Sequence, residues 1–180
     1  MPIDSCHIES LHAAELALVA IAVPSRQAEF ATGRVLLRAA LAHDGPILRE
    51  PSRAMQLPPR WVASLAHDHG VAVVAVGHDQ QFAAIGIDVE PDAPADDELC
   101  AAVLRADDPA MHPTAAFVMK EAAYKAWSTL GGRILGPLDV RLELRKHEFT
   151  AHFPVPVPGL QGVAVRAGGR WWALATVPAR

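Results

Sequence analysis

The segment of residues 83–90, AAIGIDVE, constrains the fold most strongly, because it is an apolar strand that ends on two carboxylates one residue apart. With the two-residue period of a strand, the three β-branched side chains share one face, and Asp88 and Glu90 lie on the other. Two like charges side by side repel each other unless a cation, a hydrogen-bond donor or solvent separates them. Solvent at a strand end is the simple explanation, and a hard divalent metal ion is the more specific one.

The composition describes a globular chain of moderate size. Its 180 residues are 51% apolar and 20% charged, a balance that supports a buried core in one sizeable domain or two small halves packed together. A formal net charge of −4 argues against broad binding to nucleic acid, so any anion site must be local. Cys6 and Cys100 form no metal-binding or disulfide pattern, and the longest early apolar run, from Leu16, is too short to span a bilayer. We therefore expect a cytoplasmic protein with reduced thiols.

Periodicity along the chain predicts the order helix, strands, helix, strands. The first amphipathic helix is expected from about Arg26 to Ala42, and residues 61–90 predict adjacent antiparallel strands. An acidic segment with several prolines and a short helical pattern follows, which is typical of a junction between halves. The second long helix is expected between Thr114 and Gly131, and alternating segments from Val140 onward predict further antiparallel strands.

The two long helices carry charged residues whose roles remain open from spacing alone. Glu121 and Lys125 are four residues apart and therefore neighbours on one helix face. Taken alone, they are best explained as a surface ion pair worth about 0.3–0.5 kcal/mol. Lys120 is turned about a quarter of the circumference away from them. Arg34 and Arg38 share a face of the first helix and could clamp a phosphate, although a solvated basic edge is an equally good interpretation.

The segment AHDHG, residues 66–70, places two histidines just before an apolar strand. A pair formed by His67 and His69 suggests a transition metal, but no third ligand has a fixed position in the sequence, so the signal is weak. A single histidine that donates a hydrogen bond to an anion is the more economical role. The chain contains no phosphate-binding P-loop, no dinucleotide-binding glycine pattern and no nucleophile elbow.

Three separated elements remain: a basic helix, an Asp-x-Glu strand end, and a helix with Lys-Glu followed by a second lysine. Together they describe a site for a phosphate ligand bound through magnesium, because Mg²⁺ takes a few carboxylates together with phosphate oxygens and water. The order of the elements along the chain is informative as well. GIDVE is followed about thirty residues later by FVMKEAAYKAW.

This ordered pair resembles the two signature motifs of the 4′-phosphopantetheinyl transferase family, G-[IV]-D-x-E and [WF]-x-x-K-E-A-x-x-K. Upstream, EFATGRVLLRAAL and LPPRWVASLAHDHGVAVVAV are similar to that family's basic helix and to its proline-rich loop, S-x-S-H turn and apolar strand. The motifs cover roughly residues 26 to 130, and the strand pattern continues the resemblance to the end. The chain looks like the surfactin- and enterobactin-synthetase branch of the family.

The resemblance implies an α+β fold of two pseudo-symmetric halves, residues 1–90 and 91–180, each a small antiparallel sheet packed on a helix, with the site in the cleft between them. It implies magnesium-dependent transfer of the 4′-phosphopantetheine arm of coenzyme A to a serine of an apo acyl or peptidyl carrier protein, with release of adenosine 3′,5′-bisphosphate. The expected partners are coenzyme A and the carrier protein, without nucleic acid or membrane. We expect a monomer, because two halves in one chain remove the need to build the site between subunits.

The resemblance also assigns roles to individual positions. Asp88, Glu90 and Glu121 are the expected Mg²⁺ ligands. Glu121 is in addition the expected catalytic base that takes the serine proton, directly or through water. Lys125 is expected to hold the pyrophosphate during catalysis, with Lys120 as a further phosphate contact. The residues expected at the 3′-phosphate and adenine end of coenzyme A are Arg34, Arg38, Arg53 and His67.

Two positions depart from the family's S-x-S-H turn. Ala66 stands where the family has a hydroxyl residue before the histidine, and Asp68 adds a negative charge where a neutral or basic residue would suit a phosphate. Both changes predict weaker binding of the coenzyme. The alternative function is therefore a catalytically weakened module of the same fold that binds coenzyme A or a carrier protein. A metal hydrolase built on His67 and His69 is a third interpretation.

Overall fold

The computed structural model describes residues 1–50, 54–68, 70–157 and 159–179. The fold is mixed α+β, with antiparallel sheets and helices packed on them. The α-helices are α1 (Ala13–Ala17), α2 (Pro24–Leu41), α3 (Asp97–Val103) and α4 (Pro113–Thr129). The strands are β1 (Trp61–Asp68), β2 (Val71–His78), β3 (Phe82–Pro91), β4 (Arg141–Arg145), β5 (Glu148–His152), β6 (Gln161–Ala167) and β7 (Arg170–Pro178). Short 3-10 helices lie at Ser5–Ser10 and Pro137–Asp139.

The first packing unit is α2 on the hairpin of β1 and β2. Pro24 occupies the first turn of α2, where its missing N–H leaves no helical hydrogen bond unmade. Ala42 ends the helix in the left-handed conformation, with φ of 47°. The two strands pair in antiparallel register along their whole length, which confirms the prediction for this part of the chain. The core of the unit consists of Leu37, Leu41, Ile47 and Ala63.

The second packing unit is α4 on a five-stranded antiparallel sheet in the order β3-β7-β6-β5-β4. Its apolar core includes Ala116, Val118, Ala122, Leu142, Phe149 and Ala175. The helix approaches β3 closely at Gly86, where a Cβ atom would lie 1.8 Å from the carbonyl oxygen of Ala122. Only glycine permits this approach. It brings the middle of α4 against the end of β3 that carries the two carboxylates.

The prediction that residues 61–90 form adjacent strands of one sheet is wrong for β3. This strand pairs with β7, while β1 and β2 form a separate two-stranded sheet. The reason is that β3 is covered on both faces. One face of β3 meets α4. On the other face, the side chain of Ile85 packs on Gly77 of β2, and its Cδ1 lies 2.7 Å from the position of a Cβ atom built on that glycine. A strand buried on both faces has a continuous apolar sequence that does not specify its hydrogen-bonded neighbour.

The hairpin and the five-stranded sheet form the two walls of a cleft. β1 runs beside β3, and the backbone N–H of Ile87 donates to Oγ of Ser64 at 3.1 Å. The two walls are unequal in size, with two strands in one and five in the other. In the part of the chain that the structure describes, none of the helices has both the length and the apolar character needed to cross a membrane.

Candidate active site

Asp88 lies near the end of β3 and faces α4, two residues beyond the glycine that lets the helix approach. Its side chain is buried, with the residue only 6% exposed. Oδ1 accepts a hydrogen bond from Nζ of Lys125 at 2.7 Å. Oδ2 is buried and has no hydrogen-bond partner among the described residues. Burial raises the pKa of the Asp88 carboxyl, and the charge of Lys125 opposes that shift. One carboxylate oxygen is therefore left for a ligand.

Glu121 lies on α4, one turn before Lys125, and is half-buried. Burial raises the pKa of its carboxyl, and the charge of Asp88 raises this pKa further. The two carboxylates are thus close enough to repel each other. The surface ion pair expected between Glu121 and Lys125 from spacing alone is not the pairing observed, because Lys125 binds Asp88 and also donates to the carbonyl oxygen of Ile87 at 3.0 Å.

The carboxylates predicted as magnesium ligands do not form a closed metal site. Among the residues that the structure describes, no group of three or more His, Cys, Asp or Glu side chains is placed to hold a metal ion. Glu90 lies two residues beyond Asp88 in β3, half-buried and opposite Trp171 of β7. The structure therefore brings Asp88 and Glu121 together and places Glu90 on the same strand face as Asp88.

His67 lies near the end of β1, on the opposite wall of the cleft. Its Nε2 accepts a hydrogen bond from Nη1 of Arg26 at 2.8 Å, and its Nδ1 is 3.5 Å from Oε2 of Glu29. Burial lowers the pKa of the His67 imidazole, the charge of Glu29 opposes this, and the charge of Arg26 adds to it. The neutral ring with its proton on Nδ1 fits both contacts.

A cavity of about 500 Å³ joins these two walls. It is lined by His67 and Arg26 on one side and by Lys125 and Ser128 on the other, and Arg49 also borders it. A larger cavity of about 990 Å³ lies beyond the carboxyl end of α4. We assign the ligand site to the smaller cavity, because Arg26, His67 and Lys125 border it and Lys125 also binds Asp88.

Arg34 and Arg38 are not a free phosphate clamp, because both face the carboxylate of Glu15 in α1. Glu15 is fully buried, and its Oε2 accepts from Nη1 of Arg38 at 2.7 Å. Its Oε1 accepts from the backbone N–H of Ile47 at 2.9 Å and lies 4.0 Å from Nε of Arg34. The interpretation as a solvated basic edge is therefore wrong for Arg34, and a phosphate contact of the two arginines stays a prediction. The buried counter-ion comes from a segment that spacing on α2 does not reveal.

Arg34 is itself fully buried, and it stacks on the ring of Phe30, with Cζ 4.2 Å from the ring centre. Its Nε and Nη2 have no hydrogen-bond partner among the described residues. Burial lowers the pKa of Arg34 to about 10, with a further lowering from the charge of Arg49. Nη1 contacts Sδ of Met55 at 3.9 Å, and Met55 borders the cavity. Arg34 thus lies behind the cavity wall.

Lys120 points away from the cleft into a second buried ion pair. It is 1% exposed, and its Nζ donates to Oδ2 of Asp108 at 2.5 Å and to the carbonyl oxygen of Val103 at 2.8 Å. Asp108 also accepts from the backbone N–H groups of Arg105 and Leu142. This geometry makes Lys120 a structural link between α4 and the segment after α3, and it gives no support to the expected phosphate contact.

Asp68 lies at the end of β1 and is paired across the cleft with Arg170, the first residue of β7. Nη1 of Arg170 is 3.6 Å from Oδ2 of Asp68 and donates to its carbonyl oxygen at 3.3 Å. Asp68 therefore has a counter-charge on the opposite wall, and the expected weakening of coenzyme binding stays a prediction. Arg53 and His69, which the sequence analysis also named, lie outside the described residues.

Sequence reasoning missed four residues that hold the predicted side chains in place. Arg26 and Glu29 hold His67, Glu15 holds the two helix arginines, and Asp108 holds Lys120. A signal existed for Glu15, which is a single charged residue in the apolar run HAAELALVA. A lone charge in such a run is buried only when it is paired. No comparable signal marks Arg26 or Asp108, because both lie in ordinary polar segments.

Comparison with known proteins agrees with this geometry. A family model described as the 4′-phosphopantetheinyl transferase N-terminal domain matches residues 14–77. The chain is 35% identical to the 4′-phosphopantetheinyl transferase Svp of Streptomyces mobaraensis, over 88% of this chain and 72% of that protein. It is 37% identical to Npt of Nocardia iowensis, over 69% of this chain and 62% of Npt. It is also 37% identical to PptT of Mycobacterium tuberculosis, over 71% of this chain and 63% of PptT, and both names are those of 4′-phosphopantetheinyl transferases.

Proposed function

Because the chain belongs to the 4′-phosphopantetheinyl transferase family, a family of transferase enzymes, we propose that it transfers the 4′-phosphopantetheine arm of coenzyme A to a serine hydroxyl of an apo carrier protein. The reaction forms a phosphoester bond to the serine oxygen, breaks the pyrophosphate bond of coenzyme A and releases adenosine 3′,5′-bisphosphate. It needs a base near the hydroxyl and positive charge near the pyrophosphate. The cleft between β1 and β3 offers groups for both.

The observation that carries the proposal is the unused oxygen of Asp88 beside the repelling carboxylate of Glu121. A buried carboxylate oxygen without a partner is costly, and so is a pair of like charges. A divalent cation relieves both costs, so these residues fit Mg²⁺. Asp88 and Glu121 would hold the ion, with Glu90 as the third ligand from the same strand face as Asp88. Bound magnesium would supply Lewis-acid stabilisation of the pyrophosphate charge.

Glu121 is the proposed base for the serine proton. Burial and the charge of Asp88 raise the pKa of its carboxyl, so it accepts a proton more readily than an exposed glutamate does. Lys125 is the proposed pyrophosphate contact. Its ammonium has three N–H donors, and two of them go to Asp88 and to the carbonyl oxygen of Ile87, which leaves one for a phosphate oxygen.

The wall formed by β1 and α2 is the proposed binding surface for the 3′-phosphate and adenine end of coenzyme A. His67 and Arg26 border the cavity there, and Arg34 lies behind it with two unused buried N–H donors. An arginine donor suits a phosphate because it adds charge to the hydrogen bond, and the His67 ring offers a donor when it turns from Glu29 to the ligand. Arg38 contributes indirectly by holding Glu15. Arg53 stays a prediction from the sequence motif.

Several finer features complete the proposal. We infer the pseudo-symmetric halves of the surfactin- and enterobactin-synthetase branch, residues 1–90 and 91–180, with β3 at the end of the first half pairing with β7 of the second. A single chain that supplies both walls of the cleft supports a monomer. The carrier protein would be an acyl or peptidyl carrier domain, and the location would be cytoplasmic.

The direct test is mass spectrometry of an apo carrier protein incubated with this protein, coenzyme A and Mg²⁺. We expect the carrier to gain one phosphopantetheine group, the gain to stop on chelation of the metal, and added Mg²⁺ to restore it. The same carrier with its modified serine changed to alanine is the control and should gain nothing. Coenzyme A binding without any gain on several carrier types would instead favour the weakened binding module.

A further inference from the structure

The negative charge of Asp68 lies close to the carboxylates that are proposed to bind the metal. Asp68 is the last residue of β1, and its charge adds to the rise in the pKa of Asp88. Glu121 adds a third negative charge in the same region. A pyrophosphate that approaches this group of carboxylates is repelled unless each charge has a counter-ion.

Arg170 supplies a counter-ion for Asp68 from the other wall of the cleft. It is the first residue of β7, next to Pro91 at the end of β3, whereas Asp68 is the last residue of β1. Both side chains are mostly buried, at 16% and 19% exposed, so solvent screens this pair less than it screens a surface pair. The arginine also binds the backbone of Asp68 through its carbonyl oxygen at 3.3 Å.

We propose that Arg170 is a positioning and charge-shielding residue that holds Asp68 against β7 and neutralises it, so that coenzyme A can bind beside a carboxylate. Arg170 acts through Asp68 and does not itself contact the coenzyme. The inference rests on the proposed function, because it takes the cavity to be the coenzyme site. It explains how the negative charge of Asp68, which departs from the family's turn motif, is balanced by an arginine from the other wall of the cleft.

This role predicts an asymmetry between the two partners. Loss of the aspartate charge removes both the repulsion and the need for shielding, so coenzyme binding should be unchanged or tighter. Loss of the arginine charge removes this counter-charge from Asp68, so binding should weaken by roughly tenfold, the effect of one added like charge at short range. A pair that only supported the fold would show no such asymmetry in ligand affinity.

The experiment is a double-mutant cycle read by calorimetric titration of coenzyme A into the purified protein, with the thermal unfolding midpoint recorded for each variant. We expect Arg170→Gln to raise the dissociation constant about tenfold and Asp68→Asn to leave it equal or lower. The double variant should return to within about threefold of Asp68→Asn. Arg170→Lys keeps the positive charge beside Asp68 and should bind within about threefold of the wild type.

Three outcomes would overturn the inference. A double variant that binds as weakly as Arg170→Gln would make Arg170 a direct ligand of the coenzyme. Equal affinities in all variants, with only the unfolding midpoints changed, would leave the pair a purely structural link. A wild-type protein that binds no coenzyme A would overturn the proposed function itself, and so the two failures are distinguishable.

Discussion

Two buried carboxylates in this molecule lie beside cations from a long helix, and they differ in how completely their oxygens are used. Glu15 accepts hydrogen bonds from Arg38 and from the backbone N–H groups of His12 and Ile47, so both of its oxygens are occupied. Asp88 accepts from Lys125 through Oδ1, while its buried Oδ2 has no hydrogen-bond partner in the described part of the chain.

This difference distinguishes a structural carboxylate from one directed at a ligand. A saturated buried carboxylate has no capacity left for a ligand, and its removal leaves the neighbouring cations without compensation. An unsaturated buried carboxylate carries a desolvation cost that a ligand can remove. Glu15 should therefore contribute mainly to stability, and Asp88 mainly to activity. Substitutions in the two regions test this contrast.

The largest expected effect is that of Asp88→Asn on transfer. The change keeps the shape of the side chain but removes the charge that would hold the metal, so the initial rate of carrier modification should fall by about 10³-fold. Stability should respond in the opposite sense. The raised pKa means that the folded protein binds this proton more tightly than the unfolded chain does, so ionisation of Asp88 costs stability as the pH rises through that pKa.

The unfolding midpoint of Asp88→Asn at neutral pH should therefore equal or exceed that of the wild type. Glu148→Gln, an exposed change on β5, is the matched control and should alter neither rate nor midpoint. A transfer rate for Asp88→Asn within a few-fold of the wild type would remove Asp88 from the metal site.

The next largest effect is expected on stability, for Glu15→Gln, which changes the buried carboxylate whose two oxygens are both hydrogen-bonded. The amide keeps one oxygen for the backbone N–H of Ile47 but leaves Arg34 and Arg38 without a buried counter-charge, so the free energy of unfolding should drop by about 3 kcal/mol. Urea unfolding measures this drop. The folded variant should keep most of its transfer rate at low temperature. The exposed Glu143→Gln is the control and should unfold like the wild type.

Glu121→Gln tests whether the second carboxylate beside Asp88 acts in catalysis. Loss of the proposed base should lower the rate by about 10²-fold. The wild-type rate should fall on the acid side as Glu121 becomes protonated, because a protonated carboxyl can neither accept the serine proton nor hold the metal. A pH profile of the variant should lack that limb. If the limb persists unchanged in Glu121→Gln, another group is the base.

The smallest expected effect is on the wall that binds the coenzyme. His67→Ala should raise the dissociation constant for coenzyme A by about 3–10-fold, the value of one charge-assisted hydrogen bond. Dephospho-coenzyme A, which lacks the 3′-phosphate, should be affected little. Titration of both coenzymes into the variant measures the difference, and His67→Gln, which keeps a donor, should recover part of the affinity. Equal losses for both coenzymes would place His67 elsewhere, on the pyrophosphate or in packing.

The sequence by itself determined the two long helices, most of the strands and the family motifs. α2 and α4 lie within a few residues of their predicted bounds, and the hairpin and the strands after Val140 form where alternation and turn residues predict them. These features depend on local periodicity and on residues near one another in the chain, which a single sequence displays directly. The spacing of GIDVE and KEAAYK likewise named Asp88, Glu121 and Lys125.

Only the tertiary structure decided which charges face each other. β3 joins β7 rather than β2, Glu15 captures the arginines of α2, Lys120 turns to Asp108, and Asp68 meets Arg170. Each of these pairings joins residues far apart in sequence, and each is selected by how apolar faces pack. Buried charges then take the partners that packing brings within reach, because leaving them unpaired in a low-dielectric interior costs more than any local preference can offset.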